Sequence, residues 1–360
     1  MLKTYTTAEL LLPNKFLSNF SEKPFPKIRT TIDLEKIREV RIVPKGSCYE
    51  VEIAYSAPEK RKVPLDPNKI AVIDKNLNNL MAITTNIYVD GWKLPPLIVR
   101  GFYVKWANQL MNKKIAELQS ERTSGTTMNK GLTLPETLEM KRIRQKRHNR
   151  IRNYFHFCSC FLIEFCKEFK IGTIIIGHNN YWKSEVNIGK RNTQNFVFVP
   201  FDWLINQIKY KAEMAGIKVL VKPEGYTSLA SALDRDPIPD YDPNNKYEGK
   251  FSGYRAPSMR GKKSKREIED ERRSTGIFKI DENKNYNPRG LYRTKSGYYI
   301  HSDVDGSYNI GRKHAPSAFE KLTVRNMLVP PITVNLLKYS SRHELDRLVS
   351  RMKCGSIAAA

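Results

Sequence analysis

Residues 39–57, EVRIVPKGSCYEVEIAYSA, alternate apolar and polar side chains on both sides of a Lys-Gly pair, the period-two pattern of a β-hairpin. Further on the pattern changes to short, nearly pure apolar runs. IAVID (70–74) and LMAITT (80–85) flank the polar KNLNN and predict a buried hairpin, and IGTIIIG (171–177) predicts a third buried strand. FDWLINQIKYKAEMAG (201–216) repeats its apolar positions at helical spacing and closes on glycine, and IKVLVKPE (217–224) follows as a fourth strand. Strand, helix and strand in that order predict a parallel pairing through a crossover. Glu224 then falls at the C-terminal end of its strand, where open α/β sheets place ligands.

Between these strands, residues 101–170 read as helix, interrupted by RTSGTTMNKG. The second half begins almost purely basic, with Lys141, Arg142, Arg144, Lys146, Arg147, Arg150 and Arg152, and becomes apolar from Ile151 through Phe165. One helix is thus expected to offer charge at its start and core contacts at its end. No acid stands between Lys141 and Arg152, so the run reads as a phosphate-binding face in preference to a solvated one of mixed charge. Residues 244–290 carry many charges, few apolar residues and no period, and read as a mobile insertion.

Charge sharpens the picture. The 360 residues include 62 Lys and Arg against 37 Asp and Glu, a net charge of +25 distributed along the chain, which points to a polyanionic partner. The first residues carry no long apolar run, and nowhere do eighteen uncharged apolar residues follow one another. The expectation is a cytoplasmic protein without signal peptide or membrane span. The five cysteines form no Cys-x-x-Cys pair, which argues against a four-cysteine zinc ribbon, and three of them fall in one helical core segment. The last residues, 355–360, read as a remnant of cloning.

Against this basic background HSDVDGSYNI (301–310) places Asp303 and Asp305 beside small residues. Such a stretch is either a turn or part of a divalent-metal site for phosphate chemistry, which needs carboxylates from elsewhere. Asp74 ends the first buried strand, Glu224 ends the fourth, and Asp303 opens the last helix-like segment. Spacing alone does not select this triple among 37 acids.

The flanking residues do more. IGHNNYWKSEVNIGKRNTQNFVFVPFDWLINQIKYKAEMAGIKV, EGYTSLASALDRDPIP and RGLYRTKSGYYIHSDVDGSYNI resemble, over roughly residues 39–319, the RuvC domain of transposon-encoded TnpB-type RNA-guided DNA endonucleases, relatives of the type V CRISPR effectors. The resemblance implies an α/β RNase H-like nuclease domain with inserted helices (70–319), a small β-rich N-terminal domain (1–69) and a C-terminal extension (320–360). It implies that Asp74, Glu224 and Asp303 hold two Mg²⁺ ions for phosphodiester hydrolysis, with guide RNA and target DNA as partners. In the loop after the third strand, Trp182, Lys183, Lys190, Arg191 and Gln194 are expected to contact nucleic acid by stacking and charge.

The sequence departs from the family in several places. Lys75 and Asn76 follow the first aspartate where the family has an apolar residue and then glycine, and Asp305 stands where asparagine is usual. Strand alternation directs Lys75 to the face opposite Asp74. SLASALDRD has no cysteine where many relatives carry a zinc ribbon, so no zinc is expected. The helical recognition lobe usual before the first aspartate is missing or shortened, and a second protein chain or a homodimer would supply it. The alternative is a cleavage-incompetent relative that occupies DNA under RNA guidance. A DNA-joining transposase finds no independent support.

Overall fold

The computed structural model describes residues 6–8, 28–30, 32–45, 48–56, 64–89, 91–123, 135–179, 199–242, 244, 247–255, 290–337 and 341–353. The chain divides into two compact units, one made of residues 1–61 with 120–146, the other of residues 62–119 with 147–360.

In the first unit β1 (Thr6–Ala8) pairs antiparallel with β2 (Ile28–Thr30). The hairpin foreseen over 39–57 is present as β3 (Ile37–Lys45) and β4 (Cys48–Tyr55), in register from Ile37 opposite Tyr55 to Lys45 opposite Cys48.

The second unit is α/β with a central mixed sheet. Its strands are β5 (Asp66–Asp74), β6 (Asn79–Thr85), β9 (Leu97–Arg100), β10 (Ile171–His178), β11 (Lys218–Pro223) and β15 (Ile332–Val334), in the order β11-β10-β5-β6-β9-β15. β5, β10 and β11 run parallel, β6 is antiparallel to both β5 and β9, and β15 is parallel to β9. The strand following the 201–216 helix therefore pairs parallel, as its order in the chain predicts. Residues 332–334, expected as part of a C-terminal extension, are the sixth strand. A two-stranded pair, β7 (Tyr88–Val89) with β8 (Trp92–Lys93), and a three-stranded sheet of β12 (Tyr254–Arg255), β13 (Leu291–Arg293) and β14 (Tyr299–His301) are also present.

Both faces of the central sheet are covered. On one side lie α1 (Phe102–Thr123), the apolar half of α2 (Leu138–Glu168) and α3 (Phe201–Ala215), whose Val104, Ile151, Phe155, Phe161, Leu204 and Ile208 join Ala71, Ile73, Ile174 and Ile176. On the other lies α4 (Ser302–His314), whose Val304, Tyr308 and Ile310 meet Ile70, Val72, Ala82 and Ile175. Successive residues of β5 thus go to different cores, Val72 toward α4 and Ile73 toward α3, because side chains alternate along a strand. A strand buried on both faces has no polar positions to spare, which is why it reads as an unbroken apolar run. Leu345 and Leu348 of α5 (Ser341–Lys353) also enter the first core.

Phe161 and Phe157 belong to the same helix but differ in burial, 0% against 46% exposed. Phe161→Ala is expected to cost about 3–5 kcal/mol in urea unfolding, the transfer loss plus the cavity left behind, and Phe157→Ala about 0.5 kcal/mol or less. Equal losses would contradict the two-sided packing described.

Candidate active site

Because β5, β10 and β11 are parallel, their C-terminal ends share one edge. Asp74 is the last residue of β5, Glu224 follows the last residue of β11, and Asp303 lies in the first turn of α4, which packs across β5. The chain thereby brings to one edge three carboxylates that together span more than two hundred residues of sequence. Asp74 is pushed well above the ordinary carboxylate range, first by burial, then by the charges of Glu224 and Asp303. Burial raises Glu224 as well, and Lys75 opposes that shift.

Two glycines make the approach possible. A Cβ on Gly306 of α4 would stand 2.8 Å from Asp74 Oδ2, and one on Gly177 of β10 would stand 2.5 Å from Glu224 Oε2. The small residues after Asp303 thus let the helix lie directly on the sheet. Ser307 completes this contact, donating from Oγ to the Val72 carbonyl at 3.0 Å and meeting Thr84 Oγ1 at 2.9 Å.

The surroundings of the acids differ. Asp303, 5% exposed, accepts from Asn76 Nδ2 at 3.0 Å on Oδ1 and from Asn79 Nδ2 at 2.7 Å on Oδ2, and Arg255 Nη2 stands 3.3 Å from Oδ1. Glu224 Oε1 lies 3.9 Å from Lys75 Nζ, and its Oε2 is buried without a hydrogen-bond partner. Lys75 does leave β5 on the α3 side, with Nζ 5.8 Å from the Phe201 ring centre, as alternation requires. The opposite face does not take it away from Glu224. A lysine side chain is long enough to reach Glu224 from the opposite face at the end of the sheet. It is 2% exposed, and burial lowers its pKa against the raising influence of Glu224 and Asp74.

Asp305 is a structural residue. Completely buried, it accepts the Ala232 N–H on Oδ1 at 3.0 Å, and burial pushes its carboxyl up to about 8 against the lowering influence of that bond and of Arg312 and Arg255. Asn309, one turn on, donates to the carbonyls of Thr227 at 2.9 Å and Ala230 at 2.7 Å. Arg312 Nη2 donates to the Asp236 carbonyl at 2.9 Å. One stripe of α4 therefore grips the loop that follows Glu224. Within that loop Thr227 Oγ1 donates to the Glu224 carbonyl at 2.8 Å, and Tyr226 adopts a left-handed backbone with φ 64°.

The basic run of α2 divides. Lys141, Arg142, Arg144, Lys146 and Arg152 are exposed, although Arg144 Nε is paired with Glu136 at 2.5 Å. Arg147 and Arg150 are half-buried and serve packing: Arg147 Nε donates to Asn108 Oδ1 at 2.8 Å, and the Arg150 guanidinium lies 5.2 Å from the Trp106 ring centre. Trp182, Lys183, Lys190, Arg191 and Gln194 lie outside the described residues, as do residues 256–289 of the expected insertion. Cys158 and Cys166 are fully buried in the core, where burial raises both thiols. Sequence reasoning missed Asn79, Arg255, Asn309 and Arg312. Asn309 and Arg312 follow Asp305 at i+4 and i+7, a helical stripe that was readable; the other two carried no signal.

Among the described residues no group of three or more His, Cys, Asp or Glu side chains is set to hold a metal ion. Glu224 faces Lys75, and Asp303 faces its amides. The donor chemistry nevertheless fits a hard divalent cation: the donors are oxygens, one of them buried and unpartnered, and Asp74 is raised by its two acidic neighbours.

No known family model matches the sequence, and no curated protein matches it. Three similar solved structures are a cryo-EM Cas12f1–sgRNA–target DNA complex, a cryo-EM CRISPR-Cas12f ternary complex and the crystal structure of an AacC2c1–sgRNA–extended non-target DNA ternary complex. Identities are 12%, 14% and 10%, and TM-scores 0.40, 0.40 and 0.34. The matches cover 75%, 73% and 61% of this chain, but only 55%, 42% and 22% of those chains. Among the described residues no helix is long and apolar enough to cross a membrane.

Asn309→Ala strands the carbonyls of Thr227 and Ala230 in a buried setting and is expected to cost about 2–4 kcal/mol. Asp305→Asn keeps the acceptor for Ala232 and is expected to behave oppositely. With a folded-state pKa near 8, Asp305 holds a proton that the unfolded chain has already released above about pH 4. Its contribution to stability therefore falls as pH rises between those values. The amide does not titrate, so the variant gains on the original protein across that window. Melting curves at pH 5 and pH 8 check this; a variant that loses as much as Asn309→Ala at both pH values would contradict it.

Proposed function

We propose that this chain is an RNA-guided DNA endonuclease of the TnpB type, with its second compact unit an RNase H-like nuclease. The observation that carries the reading is the meeting of Asp74, Glu224 and Asp303 at the shared end of β5 and β11 beneath the start of α4. Topology supports it. With the strands taken in chain order as β5, β6, β9, β10 and β11, the first three run antiparallel in sequence and the last two lie parallel beside the first, the arrangement of RNase H-like sheets.

In this reading Asp74, Glu224 and Asp303 hold Mg²⁺. When bound, the metal supplies activation of water and neutralises charge on the departing 3′ oxygen. The chain's own groups set the geometry. Asn76 and Asn79 fix the Asp303 carboxylate through both oxygens, and the α4 stripe of Asp305, Asn309 and Arg312 holds the Glu224 loop against the sheet. The exposed cations of α2, Lys141, Arg142, Lys146 and Arg152, contact nucleic-acid phosphate. Guide RNA and target DNA are the partners.

A second reading is favoured by one specific observation. Lys75 Nζ stands 3.9 Å from Glu224 Oε1, and a cation of the protein's own beside that acid suits a relative that binds matched DNA without cutting it.

RNA retained by the purified protein should be sequenced and used to design matched DNA. The protein is expected to cut that DNA only with Mg²⁺. Asp303→Asn is expected to abolish cutting, a loss of at least about a thousandfold, while leaving RNA binding unchanged. Occupancy of matched DNA without cutting would select the second reading, and absence of RNA would overturn both.

Neutralisation of about six phosphates by the exposed cations of α2 together with other positive charges of the chain should give RNA affinity a log–log salt slope near −5. Lys146→Gln should make that slope shallower by about one unit, and a flat salt response would contradict the assigned face.

A further inference from the structure

The carboxylate cluster has two built-in cations. Lys75 Nζ is 3.9 Å from Glu224 Oε1, and Arg255 Nη2 is 3.3 Å from Asp303 Oδ1. The two partners differ in kind. Arg255 is part of the short strand β12, 29% exposed in its side chain, and shares Asp303 with two asparagines. Lys75 is 2% exposed, held at the end of β5 beside the Phe201 ring, and no hydration shell compensates its charge. Its charge is answered at the cluster by Glu224 Oε1.

Charge balance sets the consequence. Counted over the three candidate ligands alone, three ionised carboxylates carry three negative charges, and two divalent ions placed among them would leave one positive charge. Lys75, Arg255 and a single divalent ion leave the same balance. Two divalent ions added to the two side-chain cations would leave three positive charges within a few ångströms, at a mostly buried edge where repulsion is poorly screened. Glu224 moreover has only one oxygen free of Lys75, the buried Oε2 without a hydrogen-bond partner.

We propose that Lys75 is a resident counter-ion that takes the place of the second divalent cation, so that the cluster binds one Mg²⁺-like ion instead of two. The inference rests on the nuclease reading above and deepens it. Lys75 is a positioning residue here: it holds Glu224 Oε1 and leaves Oε2 for the ion.

The test is the stoichiometry of Mn²⁺ on the full chain, measured by calorimetry and by electron paramagnetic resonance, neither of which depends on cleavage. The original protein is expected to bind one Mn²⁺ at the cluster, identified by its loss in Asp74→Asn. Lys75→Met, which keeps length and apolar stem, is expected to bind a second ion, with the coupled-spin signature of a two-ion site, or to bind the first about tenfold or more tightly. Lys75→Gln is the companion variant if the methionine form does not fold. Two ions on the original protein would overturn the inference and leave the nuclease reading standing. No ion on the original protein or on either lysine variant would overturn both. One ion on all forms with unchanged affinity would overturn the role given to Lys75 alone.

Discussion

Three carboxylates confined to the end of one sheet repel one another, and the construction around them follows from that constraint. Each is answered differently: Asp303 by two side-chain amides and a guanidinium, Glu224 by a buried ammonium, and Asp74 by its raised pKa. The amides are neutral donors that stabilise a charge without adding one. The cations bring the local balance near neutrality and let the edge fold before any ion arrives. A polar group left unpaired in such a place is costly, and Glu224 Oε2 is one.

α4 connects this electrostatic edge to the rest of the unit. Its apolar side, Val304, Tyr308 and Ile310, is part of the core, and its polar side grips the loop after Glu224. Both sides are buried, so the helix is pinned by packing and by hydrogen bonds at once. Gly306 lets it settle against Asp74. The position of Asp303 is therefore set by the core under α4, while the position of Glu224 is set by the stripe on its other flank.

Much of the frame was legible because strands buried on both faces need unbroken apolar runs, and 70–74, 80–85 and 171–177 are such runs. The three-residue strand at 332–334 was not, since its pattern is too short to have a period and only its pairing with Leu97–Val99 makes it a strand. At the site, local pattern could name acids at strand ends but could not choose among them; the resemblance supplied the choice of Asp74, Glu224 and Asp303. Alternation assigned Lys75 to the correct face and misjudged its reach, because facing is a property of the backbone and reach of the side chain. Asp305 read as a substitution beside the ligand Asp303 and is a loop clamp, a role fixed by Ala232, seventy-three residues away. Arg147 and Arg150 were counted with the phosphate-facing cations, but Asn108 and Trp106 on α1 engage them.

The pairing of β15 with β9 bears on how the chain is made. Residues 97–99 sit at the border of the sheet until residues 332–334 arrive, so a ribosome-bound intermediate displays an open row of backbone donors and acceptors next to an apolar run. That interval lasts while more than two hundred further residues are synthesised, and the closing contact is among the least local in the fold. During synthesis, then, the vulnerable part of this protein is the border of the sheet that β15 covers.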